Sequence, residues 1–179
     1  IDDVRIFVKE CTSLAANGFD VTLIACGDTA FEDIKNGVKR ISLHVPVKNR
    51  LHRMITRSRA VYKKALEVDA DVYHFHDPEL LLVGYFLIKK EKRAVFDSHE
   101  DVPTQILAKT YLQKWLRTVL LFFYNKYESH ICKKLTAIVA VTEPIKNRLA
   151  SLNKNTISVK NYPILKEIDI KNNIKSNQK

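Results

Sequence analysis

Glycine is scarce in this sequence, and its scarcity excludes the common phosphate-binding loops. The chain has four glycines in 179 residues, and neither G-x-G-x-x-G nor G-x-x-x-x-G-K-[ST] occurs in it. These motifs need several glycines because their backbone must approach a phosphate closely. A Rossmann dinucleotide loop or a P-loop is therefore not expected within these residues.

Cysteine is also scarce, and long apolar runs are missing. The three cysteines, Cys11, Cys26 and Cys132, are widely spaced and form no C-x-x-C pair. This spacing argues against a zinc site or a disulfide framework, and the apolar surroundings of Cys11 and Cys26 favour buried thiols in a reducing compartment. No apolar run approaches the roughly 20 residues that a membrane-spanning helix needs.

Basic residues are in excess and are concentrated in one segment. The formal net charge is +10, and residues 38–66 contain nine lysines and arginines but no acid. Such a segment indicates either a solvated basic face or an anionic partner such as phospholipid, nucleic acid or a phosphorylated substrate. The sequence lacks the aromatic and basic alternation of single-strand binders, so no nucleic acid partner is expected.

The order of apolar segments predicts a doubly wound α/β fold, with a parallel sheet and helices on both faces. Helices alternate with six predicted strands, at residues 20–25, 38–45, 71–75, 94–96, 137–141 and 156–160. Residues 31–35 are predicted to form a short helical turn. The chain opens at Ile1 inside a predicted helix that ends before Gly18, so we expect a first strand to be missing.

Polar residues cluster at the ends of two predicted strands. Strand 71–75 ends in His76 and Asp77, and strand 94–96 ends in Asp97, His99 and Glu100. The carboxyl ends of parallel strands share one edge, which is where open α/β sheets bind ligands. Acids beside a histidine orient its ring, and such a ring suits a general base or a hydrogen-bond partner of a hydroxyl.

His74 and Asp77 each have a structural interpretation. His74 lies deeper in its strand than His76, so we expect a core histidine beneath a helix. Asp77 is expected to cap the helix that starts at Pro78. Alternatively, His74, His76, Asp77, Asp97 and His99 together would form a site for zinc or another divalent cation.

Two predicted helices have compositions that suit a membrane surface. The helix at 51–68 is amphipathic with a basic polar side, and the helix at 111–135 is apolar on nearly all sides around Trp115. Both compositions occur in helices that lie on a membrane. A helix that covers a sheet, or a core helix covered by another domain, would look the same.

Several sequence blocks resemble those of one enzyme family. They are DDVRIFVKECTSLAANGFDVTLIA, DVYHFHDPELL, VFDSHEDVP, IVAVTEPIKNRL and VKNYP, between Asp2 and Pro163. On these blocks the sequence resembles the N-terminal half of a GT-B glycosyltransferase of the retaining family 4, or group 1, type. The HDPEL and DSHED blocks are specific to a subset of these enzymes, whereas the others are ordinary α/β patterning.

The resemblance implies a domain organisation. Residues 1–163 would form the Rossmann-like, acceptor-side N-terminal domain, and residues 164–179 a polar linker or disordered tail. The C-terminal domain that binds the donor is absent from the sequence. The chain alone is therefore expected to be inactive.

The resemblance also implies a reaction. A sugar would pass with retention from a nucleotide-sugar to a glycan or lipid-linked acceptor, in surface polysaccharide biosynthesis, with no metal or other cofactor. His99 would be the catalytic residue beside the transferred sugar, and His76 and Asp77 would line the same cleft. Arg5 and Lys9 would contact phosphate or the acceptor. Asp97 and Glu100, from the cluster of polar strand ends, complete the predicted substrate-binding set.

The expected location is the cytoplasm, with peripheral contact to the anionic inner face of the cell membrane. Two other functions remain open from the residues themselves. One is a metal-dependent hydrolase that uses the histidine and aspartate cluster. The other is a non-catalytic α/β module that binds anions.

Overall fold

The computed structural model describes residues 2–162, which group into two compact units. One unit contains residues 2–44 together with 161–162, and the other contains residues 45–160. The tail predicted at 164–179 lies outside the described residues. The domain boundary at residue 163 stays a prediction.

The first unit has a helical segment followed by a small mixed sheet. Val4–Cys11 is π-helical and continues as α1 (Thr12–Ala16), and Gly18, with φ of +87°, ends the helix as predicted. Strands β1 (Val21–Gly27) and β3 (Val38–His44) pair in parallel, and β2 (Phe31–Lys35) pairs with β3 antiparallel.

Residues 31–35 form strand β2, so the helical turn predicted there is wrong. Asn36 and Gly37 both have positive φ, 54° and 76°, as a two-residue hairpin turn between β2 and β3 requires. All five residues of β2 are exposed, so the strand has no buried face that would show as alternation in the sequence. The Asn-Gly pair was the available signal for the hairpin.

Two members of the basic segment are paired with acids in the first unit. Arg40 is 7% exposed, and its Nε donates to Asp33 Oδ1 at 2.8 Å while its Nη1 donates to Asp2 Oδ1 at 2.6 Å. Lys39 Nζ lies 2.7 Å from Glu32 Oε1. The hydrogen bond from Arg40 lowers the pKa of Asp33. These two cations therefore have acidic partners within their own unit.

The second unit is a parallel four-stranded sheet flanked by helices, in the order β4-β5-β6-β7. The strands are β4 (Val72–Phe75), β5 (Arg93–Ser98), β6 (Ala137–Ala140) and β7 (Thr156–Ser158). The helices are α2 (Arg50–Val68), α3 (Leu81–Lys89), α4 (Val102–Ala108), α5 (Lys114–Cys132) and α6 (Glu143–Ala150). This architecture confirms the predicted Rossmann-like α/β class and places all four carboxyl ends at one edge.

The core of the second unit includes apolar side chains from the sheet and from α3, α5 and α6. Its most buried members are Leu81, Leu87, Ala94, Phe96, Ile131, Cys132, Ile138, Ala140 and Leu149. Thr142 caps α6, as predicted, because its side chain accepts a hydrogen bond from the backbone N–H of Ile145. The cap fixes the start of α6 directly after β6.

Cys11 is a buried thiol, as the sequence predicted, and Cys132 is buried as well. Cys11 lies in the core of the first unit and Cys132 in that of the second. Burial raises the pKa of Cys11 to about 11 and that of Cys132 to about 12. Both stay protonated near neutral pH and are poor nucleophiles. Cys26 is only half-buried, so the burial predicted for it is wrong.

Gly84 allows α3 to lie close to the sheet. A Cβ at this position would come within 2.5 Å of Phe75 Cε1 and 3.3 Å of Leu135 Cδ2. We expect Gly84→Ala to lower the free energy of unfolding by about 1–3 kcal/mol, since overpacking displaces buried neighbours. Urea denaturation measures the change.

Leu82→Ala, at an exposed position of the same helix, is the control for the Gly84 variant. It should change stability by less than about 0.5 kcal/mol, as surface substitutions usually do. Equal stability of the Gly84→Ala protein and the wild type would contradict the close approach of Phe75.

Candidate functional site

Three imidazoles and one carboxylate meet at the carboxyl edge of the second unit's sheet. Phe75 in β4 pairs with Phe96 in β5, which places the following residues, His76 and Asp97, side by side. His76 Nδ1 lies 2.9 Å from His99 Nε2, a hydrogen bond between the two rings. The sequence prediction that the two strand ends share one edge is therefore confirmed in this unit.

Asp97 is the charged centre of this histidine cluster, which consists of His74, His76, His99 and Asp97. Its carboxylate is 3% exposed, and its Oδ2 lies 3.5 Å from His76 Nδ1 while its Oδ1 lies 3.8 Å from His99 Nδ1. A buried carboxylate is costly unless polar or cationic groups surround it. Asp97 thus holds imidazoles around itself and restricts where their rings can point.

The rings of the histidine cluster are stacked. The centroids of His76 and His99 are 5.0 Å apart with 12° between the ring planes, and those of His74 and His76 are 4.9 Å apart with 22°. Stacking leaves ring edges for hydrogen bonds. The arrangement suits a surface that orients hydroxyl groups.

His74 is not a buried core histidine, so that prediction is wrong. Its side chain is 30% exposed, and its Nε2 lies 3.9 Å from Asp97 Oδ2. Strand β4 forms an edge of the four-stranded sheet, and the prediction assumed that a helix covers both faces along the full strand. His74 instead belongs to the same cluster as His76 and His99.

Asp77 and Glu100 flank the cluster on its two loops. Asp77 stands at the predicted N-cap position before Pro78, yet its side chain makes no capping hydrogen bond in the described chain. The backbone N–H of Leu80 instead donates to the backbone carbonyl of Asp77 at 2.9 Å. Glu100 Oε2 accepts a hydrogen bond from Gln105 Nε2 at 2.9 Å. Both carboxylates are at exposed positions.

Arg5 and Lys9 belong to the first unit. The backbone N–H of Arg5 is capped by Asp3 Oδ1 at 2.9 Å. Lys9 Nζ donates to Asn161 Oδ1 at 3.2 Å and to the carbonyl of Tyr162 at 3.0 Å. Their predicted contact with phosphate or acceptor stays a prediction.

The sequence did not predict an ion-pair network that includes Asp101, the last residue of the DSHED block (residues 97–101). Arg148 on α6 donates through both Nη atoms to Glu128 on α5, and its Nε lies 3.0 Å from Asp101 Oδ1. Tyr124 OH donates to Glu128 Oε1 at 3.3 Å, and burial together with Glu128 raises the pKa of Tyr124. Arg148 therefore ties the loop after His99 to two helices.

One sequence signal could have indicated this network. Glu128 is the only acid between Asp101 and Glu143, and it stands in a largely apolar helix. A lone acid at a buried helical position requires a cation. The identity of that cation, 20 residues further along the chain, depends on the packing of α6.

The histidine cluster also includes potential metal ligands. One donor atom each from His74, His76 and Asp97 lies within 4.8 Å of the others. Two imidazoles and a carboxylate suit zinc or a similar divalent ion. These three residues would hold such an ion if one binds.

Comparison with known proteins agrees with this fold. The family model Glycosyltransferase Family 4 matches residues 5–159, so the chain belongs to that family. It carries the N-terminal domain of a GT-B glycosyltransferase, as the sequence blocks predicted. No curated protein matches the chain with significance.

Within residues 2–162, no helix is both long enough and apolar enough to cross a membrane. This finding includes α5, the most apolar long helix predicted from the sequence.

Proposed function

We propose that this chain is the acceptor-side part of a hexosyltransferase that moves a sugar from a nucleotide-sugar to an acceptor hydroxyl with retention. The observation that carries the proposal is the histidine cluster at the carboxyl edge of a parallel sheet, in a chain of glycosyltransferase family 4. Ligands of open α/β sheets bind at this edge.

The proposed chemistry needs no covalent nucleophile. The bond between the sugar C1 and the diphosphate oxygen breaks, and the acceptor oxygen bonds to C1 from the same face. The departing diphosphate takes the acceptor proton, so atoms and charge balance without a protein base. The chain's part is positioning and charge stabilisation, which are large terms in catalysis.

His99 is proposed to orient a hydroxyl of the transferred sugar. His76 and Asp97 hold the His99 ring, and Asp77 and Glu100 contact substrate hydroxyls at the rim. Arg5 and Lys9 are proposed to contact phosphate or the acceptor. No metal or other cofactor takes part in this scheme.

The proposed donor site lies in a second domain. In this scheme the chain alone transfers no sugar, since it holds only the acceptor-side wall of the cleft. The acceptor is a glycan or a lipid-linked saccharide of surface polysaccharide biosynthesis, and it supplies the attacking hydroxyl.

A transfer assay tests the proposal. The complete enzyme is incubated with a panel of nucleoside-diphosphate sugars and saccharide or lipid-linked acceptors, and product is detected by mass spectrometry. Proton NMR of the new glycosidic bond should show the anomeric configuration of the donor. Inversion would refute the proposed chemistry, and no turnover of any nucleotide-sugar would refute the proposed function.

A metal-dependent hydrolase is a second candidate, favoured by the closeness of His74, His76 and Asp97. Zinc titration followed by calorimetry, together with metal analysis of the purified protein, distinguishes the two. Stoichiometric zinc and hydrolysis that a chelator abolishes would support this candidate. Zinc that binds no better to the wild type than to His74→Ala would remove it.

A further inference from the structure

Helix α5 exposes an apolar stripe in its first three turns. Trp115 and Phe123 are 63% and 64% exposed, and Val119 and Phe122 lie between them at helical spacing. The buried residues of α5, Glu128, Ile131 and Cys132, are confined to its last turns. The first half of α5 therefore turns large apolar side chains outward.

The second half of the same stripe is basic. Lys126 follows Phe122 at i+4, and its Nζ lies 4.7 Å from the centre of that ring. Phe122 and Lys126 line an open groove of about 680 Å³, together with Lys133 and Lys134. Arg148 also lines the groove but is already paired with Glu128. The three lysines supply the cationic character.

The charge of the surrounding segment is one-sided. Between Asp101 and Glu143 there are six lysines and arginines and a single acid, Glu128. That acid is 2% exposed and is neutralised by Arg148. The exposed charged side chains that residues 102–142 contribute around the apolar stripe are therefore all cationic.

Exposed apolar side chains next to lysines favour one kind of binding partner for this surface of α5. An apolar partner surface would leave the lysines without counter-charges, and an acidic protein surface would leave the phenylalanines in water. An anionic bilayer provides both: acyl chains accept apolar side chains, and lipid phosphates lie at the depth that lysine reaches by snorkelling. Tryptophan is enriched at this interface.

We propose that α5 lies in the surface of an anionic phospholipid membrane, with Trp115, Phe122 and Phe123 among the acyl chains and Lys126, Lys133 and Lys134 on the lipid phosphates. The helix lies parallel to the membrane, since it is unsuited to crossing one. The inference does not depend on the proposed sugar transfer, and binding is measured without any sugar nucleotide.

Trp115 provides a direct measurement because it is the only tryptophan in the chain. Its fluorescence is recorded with phosphatidylcholine vesicles with and without phosphatidylglycerol. We expect a shift to shorter wavelength, and quenching by brominated acyl chains, with the anionic vesicles only. No shift, or an equal shift with both lipids, would overturn the proposal.

Charge variants test the role of the lysines. Replacing Lys126, Lys133 and Lys134 together with glutamine should weaken binding to anionic vesicles by roughly 100-fold, from about 1 kcal/mol for each lysine near the surface. The matched control replaces Lys63, Lys90 and Lys154, which lie elsewhere in the same unit, and removes the same charge. An equal loss in both triples would assign binding to net charge and refute the α5 surface.

An apolar variant completes the test. Phe123→Ser should reduce vesicle binding, whereas Ile157→Ser, at a comparably exposed position on β7, should not. Circular dichroism confirms that each variant is folded. If Trp115 is shielded without lipid and sedimentation shows a dimer, the stripe is instead a contact between two copies of the chain, and the proposal is wrong.

Discussion

His99→Ala is expected to lower sugar transfer by the complete enzyme by about 100-fold while leaving the domain folded. Removing one positioned hydrogen-bonding group from an active site typically lowers the rate by about 10²–10³-fold. We expect the low end of this range of rate changes because, in the proposed scheme, His99 orients a hydroxyl and the departing diphosphate takes the proton. The ring is only partly buried, so removing it costs little stability.

The local contacts explain why His99 is a better choice than its neighbours for this test. Its Nε2 is bonded to His76 at 2.9 Å, and its Nδ1 faces the buried Asp97 at 3.8 Å. Replacing Asp97 would disturb all three imidazole rings of the cluster, whereas replacing His99 removes only one of these rings. His99→Gln retains a group that can reach His76 and should restore part of the rate.

His52→Ala is the matched control for His99. It removes a histidine of α2 whose ring accepts only a long hydrogen bond, 3.5 Å, from the backbone of Lys48. Transfer rate and thermal midpoint are measured for all three variants. Unchanged turnover in the His99→Ala enzyme would refute the role proposed for this residue.

Arg148→Met is expected to lower the free energy of unfolding by about 3 kcal/mol, the low end of the range for a broken buried ion pair. The variant leaves Glu128, 2% exposed, without its cation. We expect the low end of this range of stability losses because the Arg148 side chain is 28% exposed. Water therefore partly replaces the interactions that are lost with the guanidinium group. Burial by itself would lower the pKa of Arg148. The hydrogen bond and charge of Glu128, together with the charge of Asp101, raise this pKa by more, so the net shift is upward.

A double-mutant cycle separates the ion pair from simple packing. Glu128→Met with Arg148→Met removes both charges and should recover much of the lost stability, because apolar replacements of buried pairs are often tolerated. Arg59→Met, at an exposed position of α2, is the control and should be nearly neutral. A loss in the double variant equal to the sum of the losses in the Arg148→Met and Glu128→Met single variants would show that the charges do not interact.

The α/β class and the shared strand edge could be predicted because each depends on short-range pattern. Apolar runs located β4 to β7, and parallel order alone then brings His76 and Asp97 together. The cap at Thr142 is likewise local. These features need no knowledge of how distant segments pack.

The features that the sequence did not reveal depend on exposure and long-range packing. Strand β2 has no buried face, so periodicity could not identify it. The position of His74 in its strand predicts a core location, but strand position does not measure depth at a sheet edge. The pairing of Arg148 with Glu128 depends on the relative placement of α5 and α6, which no single segment encodes.

The bond between His76 and His99 links the tautomers of the two rings. Only one hydrogen lies between His76 Nδ1 and His99 Nε2, so one nitrogen donates and the other accepts. The Asp97 carboxylate attracts the ring hydrogen of His99 to Nδ1, and His99 Nε2 then accepts from His76. The tautomer of His99 therefore sets the tautomer of His76 as well. Reversing the hydrogen bond would move a ring hydrogen on both histidines, so the two rings change tautomer as one unit rather than separately.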